Sequence, residues 1–172
     1  MIIFTLDALA DDSHRQHLID RSKVTGLRNC DKRCFTEDKL SGCWCTWQPD
    51  YPAYYEACDG DAPIHATIGA LKMISHASAP IQIWSTLPES QRDAVYFWFD
   101  DQCVSINRIE IRMRPISDDR PQEELFELWK NYYLSEPCGY QRSIEMVFSS
   151  HAPTIDMFRK AGIFVFDCNQ GE

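Results

Sequence analysis

The sequence predicts an α/β fold: a doubly wound, mostly parallel sheet with helices on both faces. Three observations carry this. Short apolar segments alternate with segments of helical period along most of the chain. Proline opens several helical segments, and Gly162 follows the last of them, the usual asymmetry of capped helices. The chain has 172 residues, 44% of them hydrophobic and 12% aromatic, which is enough to bury a core and too apolar for a disordered chain. With 17 Lys and Arg against 26 Asp and Glu, the net charge of −9 disfavours long nucleic acid as a partner. The apolar runs, such as Ile2 to Leu6 and Ile163 to Phe166, are too short to cross a bilayer, so no membrane is expected.

Ile2 to Leu6 is a fully apolar run, the first expected strand. Asp11, Asp12 and Ser13 offer N-cap chemistry for a helix from His14 to Ile19. A second helix is expected from Pro63, with Ile64, Ile68 and Leu71 at i, i+4 and i+7. Ile81 to Trp84 reads as a strand, and Pro88 with Glu89 announces a helix to about Phe99. Ile109, Ile111 and Met113 alternate with Glu110, Arg112 and Arg114, a strand of period two. Pro121 opens a helix carrying Leu125, Leu128, Trp129 and Tyr132 on one stripe. Ile144 to Phe148 is a strand, Pro153 opens the last helix, and Ile163 to Phe166 is the last strand. In such sheets ligands bind at the carboxyl ends of the strands. Those ends are Leu6-Asp7, Ser85-Thr86, Arg114 and Ser149-Ser150.

Residues 1–172 read as one domain, with Arg21 to Pro52 as an irregular insertion. From Arg21 to Lys39 there are six basic residues and three acidic ones, a local charge of +3 (6 − 3). Met1 is followed by strand-like residues rather than a basic leader, so a cytoplasmic protein is expected, with cysteines as thiols or metal ligands. Four of the eight cysteines crowd together as Cys30-x3-Cys34-x8-Cys43-x-Cys45. Four thiolates can close a tetrahedral structural zinc site, although this spacing matches no common zinc knuckle. The alternative is reduced cysteines packed beside Phe35, Trp44 and Trp47.

The segment Ile3-Phe4-Thr5-Leu6-Asp7-Ala8-Leu9-Ala10-Asp11 resembles the first motif of the haloacid dehalogenase (HAD) phosphatases, strand-D-x-D-G-T-L-A-D. Tyr51 to Asp61, Ile81 to Ser85, Met113 to Arg120 and Ile144 to Gly162 also match. Together they are similar to the phosphatase domain of bacteriophage polynucleotide kinase and its stand-alone phage relatives, with Arg21 to Pro52 as a small cap-like insertion. The resemblance implies an HAD-like sheet and a phosphatase site at the strand ends.

Several catalytic positions of that site depart from the pattern. The position of the nucleophilic Asp is Thr5, whereas the acid/base Asp is retained as Asp7. The Gly-Thr that follows is shortened to Ala8, and Ser-Gly-Arg is replaced by Ser85-Thr86-Leu87. The lysine that neutralises the phosphoryl group aligns with Phe126, and Asp-Asp-Arg aligns with Ser149-Ser150-His151. Phosphoryl transfer depends on a nucleophile, a metal and positioned cations. The resemblance therefore implies a pseudo-phosphatase with no catalytic residues and no need for Mg²⁺. Asp7, Ser85, Thr86, Arg114 and Arg120 remain as candidate ligand-binding residues.

Other constellations have two readings each. Asp59 and Asp61 form a D-x-D, or an acidic loop before a helix. Arg108, Arg112, Arg114 and Arg120 hold a phosphorylated ligand, or pair with Glu110, Asp118 and Asp119. Trp44, Trp47, Tyr51, Tyr54 and Tyr55 stack a base, or form the core of the insertion. His14 and His17 join a metal site, or face solvent.

The expected function is binding without turnover. The ligand is a nucleotide or other phosphorylated small molecule, or a host protein that is bound and blocked if the chain is phage-derived, in the host cytoplasm. Two alternatives are an active Mg²⁺-dependent nucleotide or polynucleotide 3′-phosphatase and a zinc-stabilised protein-interaction module.

Overall fold

The computed structural model describes residues 1–23, 48–76, 79–135 and 143–169. The strands are β1 (Ile2–Thr5), β2 (Ala10–Asp11), β3 (Ala62–Pro63), β4 (Ile81–Pro88), β5 (Ile109–Arg114), β6 (Met146–Ser149) and β7 (Phe164–Asp167). The α-helices are α1 (Tyr51–Glu56), α2 (His65–Ser75), α3 (Arg92–Asp101), α4 (Gln122–Ser135) and α5 (Ala152–Lys160). By contact density the chain forms two compact units, Met1–Asp11 with Ala62–Glu172, and Asp12–Asp61.

In the first unit β1 is central. Its short apolar and β-branched sequence suits a strand covered on both faces. It pairs in parallel with β4 on one side, Phe4 beside Ile83, and with β6 on the other, Phe4 beside Phe148. β5 and β7 complete the order β5-β4-β1-β6-β7, all parallel. Parallel neighbours need crossovers, and crossovers are right-handed. The chain moves outward from β1 through β4 to β5, then returns across β1 to β6 and β7. This reversal places α2 and α3 on one face and α4 and α5 on the other, which is the doubly wound arrangement the sequence predicts.

The α4/α5 face holds a hydrophobic core centred on Trp84. Trp84 is fully buried there, with Phe126, Trp129, Tyr133 and Phe158 rings centred 5.5, 5.5, 6.1 and 5.7 Å away. Its indole N–H donates to Gln82 Oε1 at 2.8 Å, and the Gln82 amide donates to Glu110 and to the Tyr133 hydroxyl, so a buried amide is satisfied on both ends. Arg112 lies over the Trp129, Tyr132 and Tyr133 rings. On the opposite face Phe4 and Phe148 stack with centroids 4.3 Å apart. α5 ends in a Schellman turn: Gly162 adopts φ +74°, its N–H bonds Arg159 O, and Ile163 N–H bonds Phe158 O.

Several elements differ in extent from expectation. β4 runs four residues past Trp84, to Pro88, with a register shift against β5 between Trp84 and Pro88. The helix expected from Pro63 begins at His65, because Pro63 pairs with Ala10 in the small β2–β3 ladder. The expected helix from His14 to Ile19 is replaced by turns and a 3-10 turn over Gln16–Leu18.

The reason lies in the second unit. Arg15 is buried and donates to both oxygens of buried Asp61 at 2.6 Å, and to Tyr54 O at 2.7 Å. Its guanidinium also sits 4.1 Å above the Tyr54 ring. Tyr54 in turn donates to Asp12, which accepts from Gln16 as well. Burial, and then the bond to Asp12, push the Tyr54 hydroxyl above its ordinary range; burial pushes the Asp61 carboxyl up against the pull of Arg15. Asp50 N–H bonding Leu18 O at 2.8 Å closes the same unit. A residue 46 positions away thus fixes the backbone at Arg15, overriding the local helix signal. Cys58 is buried in this unit and its thiol is pushed up to about 11, chiefly by burial. Cys30, Cys34, Cys43 and Cys45, with Trp44 and Trp47, lie outside the described residues.

Breaking a buried pair from one side leaves a desolvated charge, at a cost of roughly 3–5 kcal/mol. Asp61→Asn is therefore expected to destabilise Asp12–Asp61 selectively. Limited proteolysis should cut this unit first, while the near-ultraviolet signal of the buried tryptophans in the sheet unit persists.

Candidate functional site

In an open parallel sheet the crevice for a ligand lies where neighbouring strands send their connections in opposite directions. Here that switch lies between β1 and β6, which bring Thr5-Leu6-Asp7 beside Ser149-Ser150-His151. The sheet therefore unites the two positions that carried the most weight in the sequence.

Asp7 sits in a 3-10 turn, Leu6–Ala8, directly after β1. Its Oδ2 accepts from Ser150 N–H at 3.2 Å and lies 2.8 Å from Ser150 Oγ and 3.5 Å from Ser149 Oγ. Ser150 Oγ is also 2.8 Å from the Asp7 carbonyl, so its single proton chooses between two oxygens of the same residue. The Asp7 carboxylate is thus met by a hydroxyl and an amide where the family resemblance would place a metal-binding acid. Ser149 Oγ accepts from His151 N–H at 3.3 Å, and His151 Nδ1 lies 2.9 Å from Thr154 Oγ1 at the start of α5.

Thr5 is fully buried and its hydroxyl donates to Phe148 O at 3.1 Å. It is held by the backbone of β6, and among the described residues no carboxylate or imidazole is bonded to it as a base. Ser85, also fully buried, accepts from Leu87 N–H at 3.0 Å and so closes the turn within β4. Phe126 is 1% exposed, its ring 5.3 Å from that of Trp129. An ammonium is excluded from that environment unless paired.

Arg114 and Arg120 are both engaged within the chain. Arg114 Nε donates to Thr86 O at 2.8 Å, and its Nη1 donates to the carbonyls of Asp118 and Arg120. Arg120 forms a forked pair with Asp118, and that pairing first, then the Arg120 N–H and the nearby Arg114, hold the Asp118 carboxyl down to about 2.

Beside the crevice, burial pushes the Cys168 thiol up, and Asp7 and Asp167 add to the shift against a bond from Thr67. It is a thiol there, not a nucleophilic thiolate. Among the described residues no three His, Cys, Asp or Glu side chains come together as metal ligands. Of the D-x-D formed by Asp59 and Asp61, Asp61 belongs to the buried pair with Arg15, and His14 and His17 bond the carbonyls of Ala57 and His14. Tyr54 lies under Arg15, whereas Tyr51 is half exposed.

Sequence reasoning did not find the Ser150–Asp7 bond or the Arg15–Asp61 pair. The first had a signal, a hydroxyl residue just past a strand that neighbours β1. The second had none, because nothing in local periodicity marks a pairing across 46 positions.

Solved structures that resemble this chain include chains of two RNA repair assemblies. A chain of a Pnkp1/Rnl/Hen1 complex is 16% identical, with a TM-score of 0.59, covering 99% of this chain and 46% of that one. A chain of the Pnkp1/Rnl/Hen1 RNA repair complex is 15% identical, with a TM-score of 0.56, covering 97% and 41%. The likeness is one of fold. This chain spans less than half the length of those it matches. No family model and no curated protein matches it.

A lysine at the buried Phe126 position must damage the fold. Phe126→Lys removes a buried ring, a loss of about 3–5 kcal/mol, and adds an ammonium to an aromatic environment. Urea unfolding should show at least that destabilisation. A variant as stable as the parent would mean that the position still opens to the site.

Proposed function

We propose that the chain is a catalytically silent, HAD-phosphatase-like protein that acts by binding. The observation that carries this reading is the internal satisfaction of the strand-end groups. Ser150 meets Asp7, the carbonyl of Phe148 takes the Thr5 hydroxyl, and Phe126 lies in the core. Aspartyl-phosphate chemistry needs a carboxylate nucleophile, a second metal carboxylate and a cation on the phosphoryl oxygens. Threonine, serine and phenylalanine supply none of the three. Asp7 alone would give a general acid without a covalent partner. Among the described residues Mg²⁺ would find one carboxylate at the switch point, already hydrogen-bonded, so they do not fit a resident Mg²⁺.

The same geometry bears on the ligand. A phosphate-binding reading requires cations turned into the crevice, but Arg114 and Arg120 bind backbone carbonyls and Asp118. We therefore assign the binding role to a protein partner rather than a free nucleotide. The fold likeness to chains of RNA repair assemblies supports that choice, since those chains work within multi-protein complexes. Any part in nucleic acid repair would then be that of a non-catalytic member.

The test is phosphate release, with Mg²⁺, from a 3′-phosphorylated oligonucleotide and from an aryl phosphate, beside Asp7→Ala as control. Equal background rates are expected from both proteins. Turnover that vanishes in Asp7→Ala would overturn catalytic silence. Calorimetry with the same oligonucleotide addresses the ligand separately: no saturable heat is expected, and saturable binding lost in Arg114→Ala would return the role to a phosphorylated ligand.

A further inference from the structure

One row of side chains crosses the whole sheet on the face opposite α4 and α5. The strand registers align Ile111, Ile83, Phe4, Phe148 and Phe166, one from each strand. Phe4 and Phe148 stack at 4.3 Å with planes 3° apart, and Phe148 and Phe166 at 4.7 Å with planes 11° apart. The row is buried through Phe148 and then reaches the edge strand β7, where Phe166 is 43% and Phe164 59% exposed. Among the described residues no strand pairs with the outer edge of β7. A free edge carrying two exposed aromatic rings is a template for another strand.

We propose that this edge pairs with the β7 edge of a second copy of the chain, antiparallel and about a two-fold axis at Val165. Three features favour that occupant. With Val165 opposite Val165 of the second copy, each Phe164 falls directly across from the other copy's Phe166 on the same face. The aromatic row then runs on through both sheets, using the cross-strand pairing that stabilises antiparallel strands by roughly 0.2–1 kcal/mol per pair. The edge is also oppositely charged at its two ends. Arg159 and Lys160 close α5 just before β7, Asp167 ends β7, and none of the three is in an ion pair among the described residues. By strand alternation Asp167 shares the α5 face with Val165, so antiparallel pairing places each Asp167 across from Ile163 of the other copy, near that copy's Arg159 and Lys160. A two-fold axis makes every such contact twice. Each copy carries −9, but net repulsion is screened beyond about 8 Å at physiological ionic strength, whereas these contacts are close.

The inference is independent of the catalytic reading, because it uses no switch-point residue. It is tested by sedimentation velocity on the full chain over micromolar concentrations. A concentration-dependent dimer is expected. Phe164→Lys, at the more exposed ring, should raise the dissociation constant at least tenfold with an unchanged circular dichroism spectrum. Asp167→Lys should do the same, and adding Arg159→Glu with Lys160→Glu to it should restore the dimer. A monomer throughout, or a dimer indifferent to Phe164→Lys, would overturn the proposal. So would failure of the charge exchange to restore association, which would leave this edge to an extended peptide of another protein.

Discussion

The structure depends on one constraint: β1 must pair in parallel on both sides. A four-residue strand can do this when its side chains can be buried on both faces: Ile2, Ile3 and Phe4 are apolar, and the buried Thr5 gives its hydroxyl to Phe148 O. Parallel pairing forces crossovers, and the reversal of their direction at β1 opens a crevice at its carboxyl end. Asp7 and Ser150 meet there because each is the first polar residue beyond its strand whose side chain can turn toward the other. The position of the site is thus a consequence of sheet topology, and its chemistry a consequence of which side chains end the strands.

Those side chains are coupled through hydrogen bonds. Asp7 faces the hydroxyls of Ser149 and Ser150 and the Ser150 N–H, donors that stabilise its carboxylate. Phe126 packs into the aromatic cluster around Trp84, its ring 5.5 Å from that of Trp84 and 5.3 Å from that of Trp129.

Much of the fold was legible in the sequence. Period-two alternation marked β5, proline and Gly162 bracketed α5, and the alternation of strand and helix implied the doubly wound order. The strand ends named as the site are where the sheet brings Asp7, Ser149 and Ser150 together. What was not legible is long-range. The His14 to Ile19 segment carried a helix signal that a buried pair with Asp61 overrides. Arg114 reads equally well as a phosphate ligand or a clamp on the loop after β5, and only the folded carbonyls of Thr86, Asp118 and Arg120 choose. Side-chain alternation placed Phe164 and Phe166 on one face, but the row they extend exists only once the strand registers are set.

On the proposed reading, hydrogen bonds from Ser150 occupy the Asp7 carboxylate where a phosphatase would hold a metal and a phosphoryl group. The most direct measurement is the carboxyl ¹³C resonance of Asp7, assigned by its loss in Asp7→Asn, recorded with and without Mg²⁺ and beryllofluoride. The account predicts a resonance that stays in place as both are added. A resonance that moves and saturates would contradict it, because it would mean that Asp7 still builds a phosphoryl-transfer site.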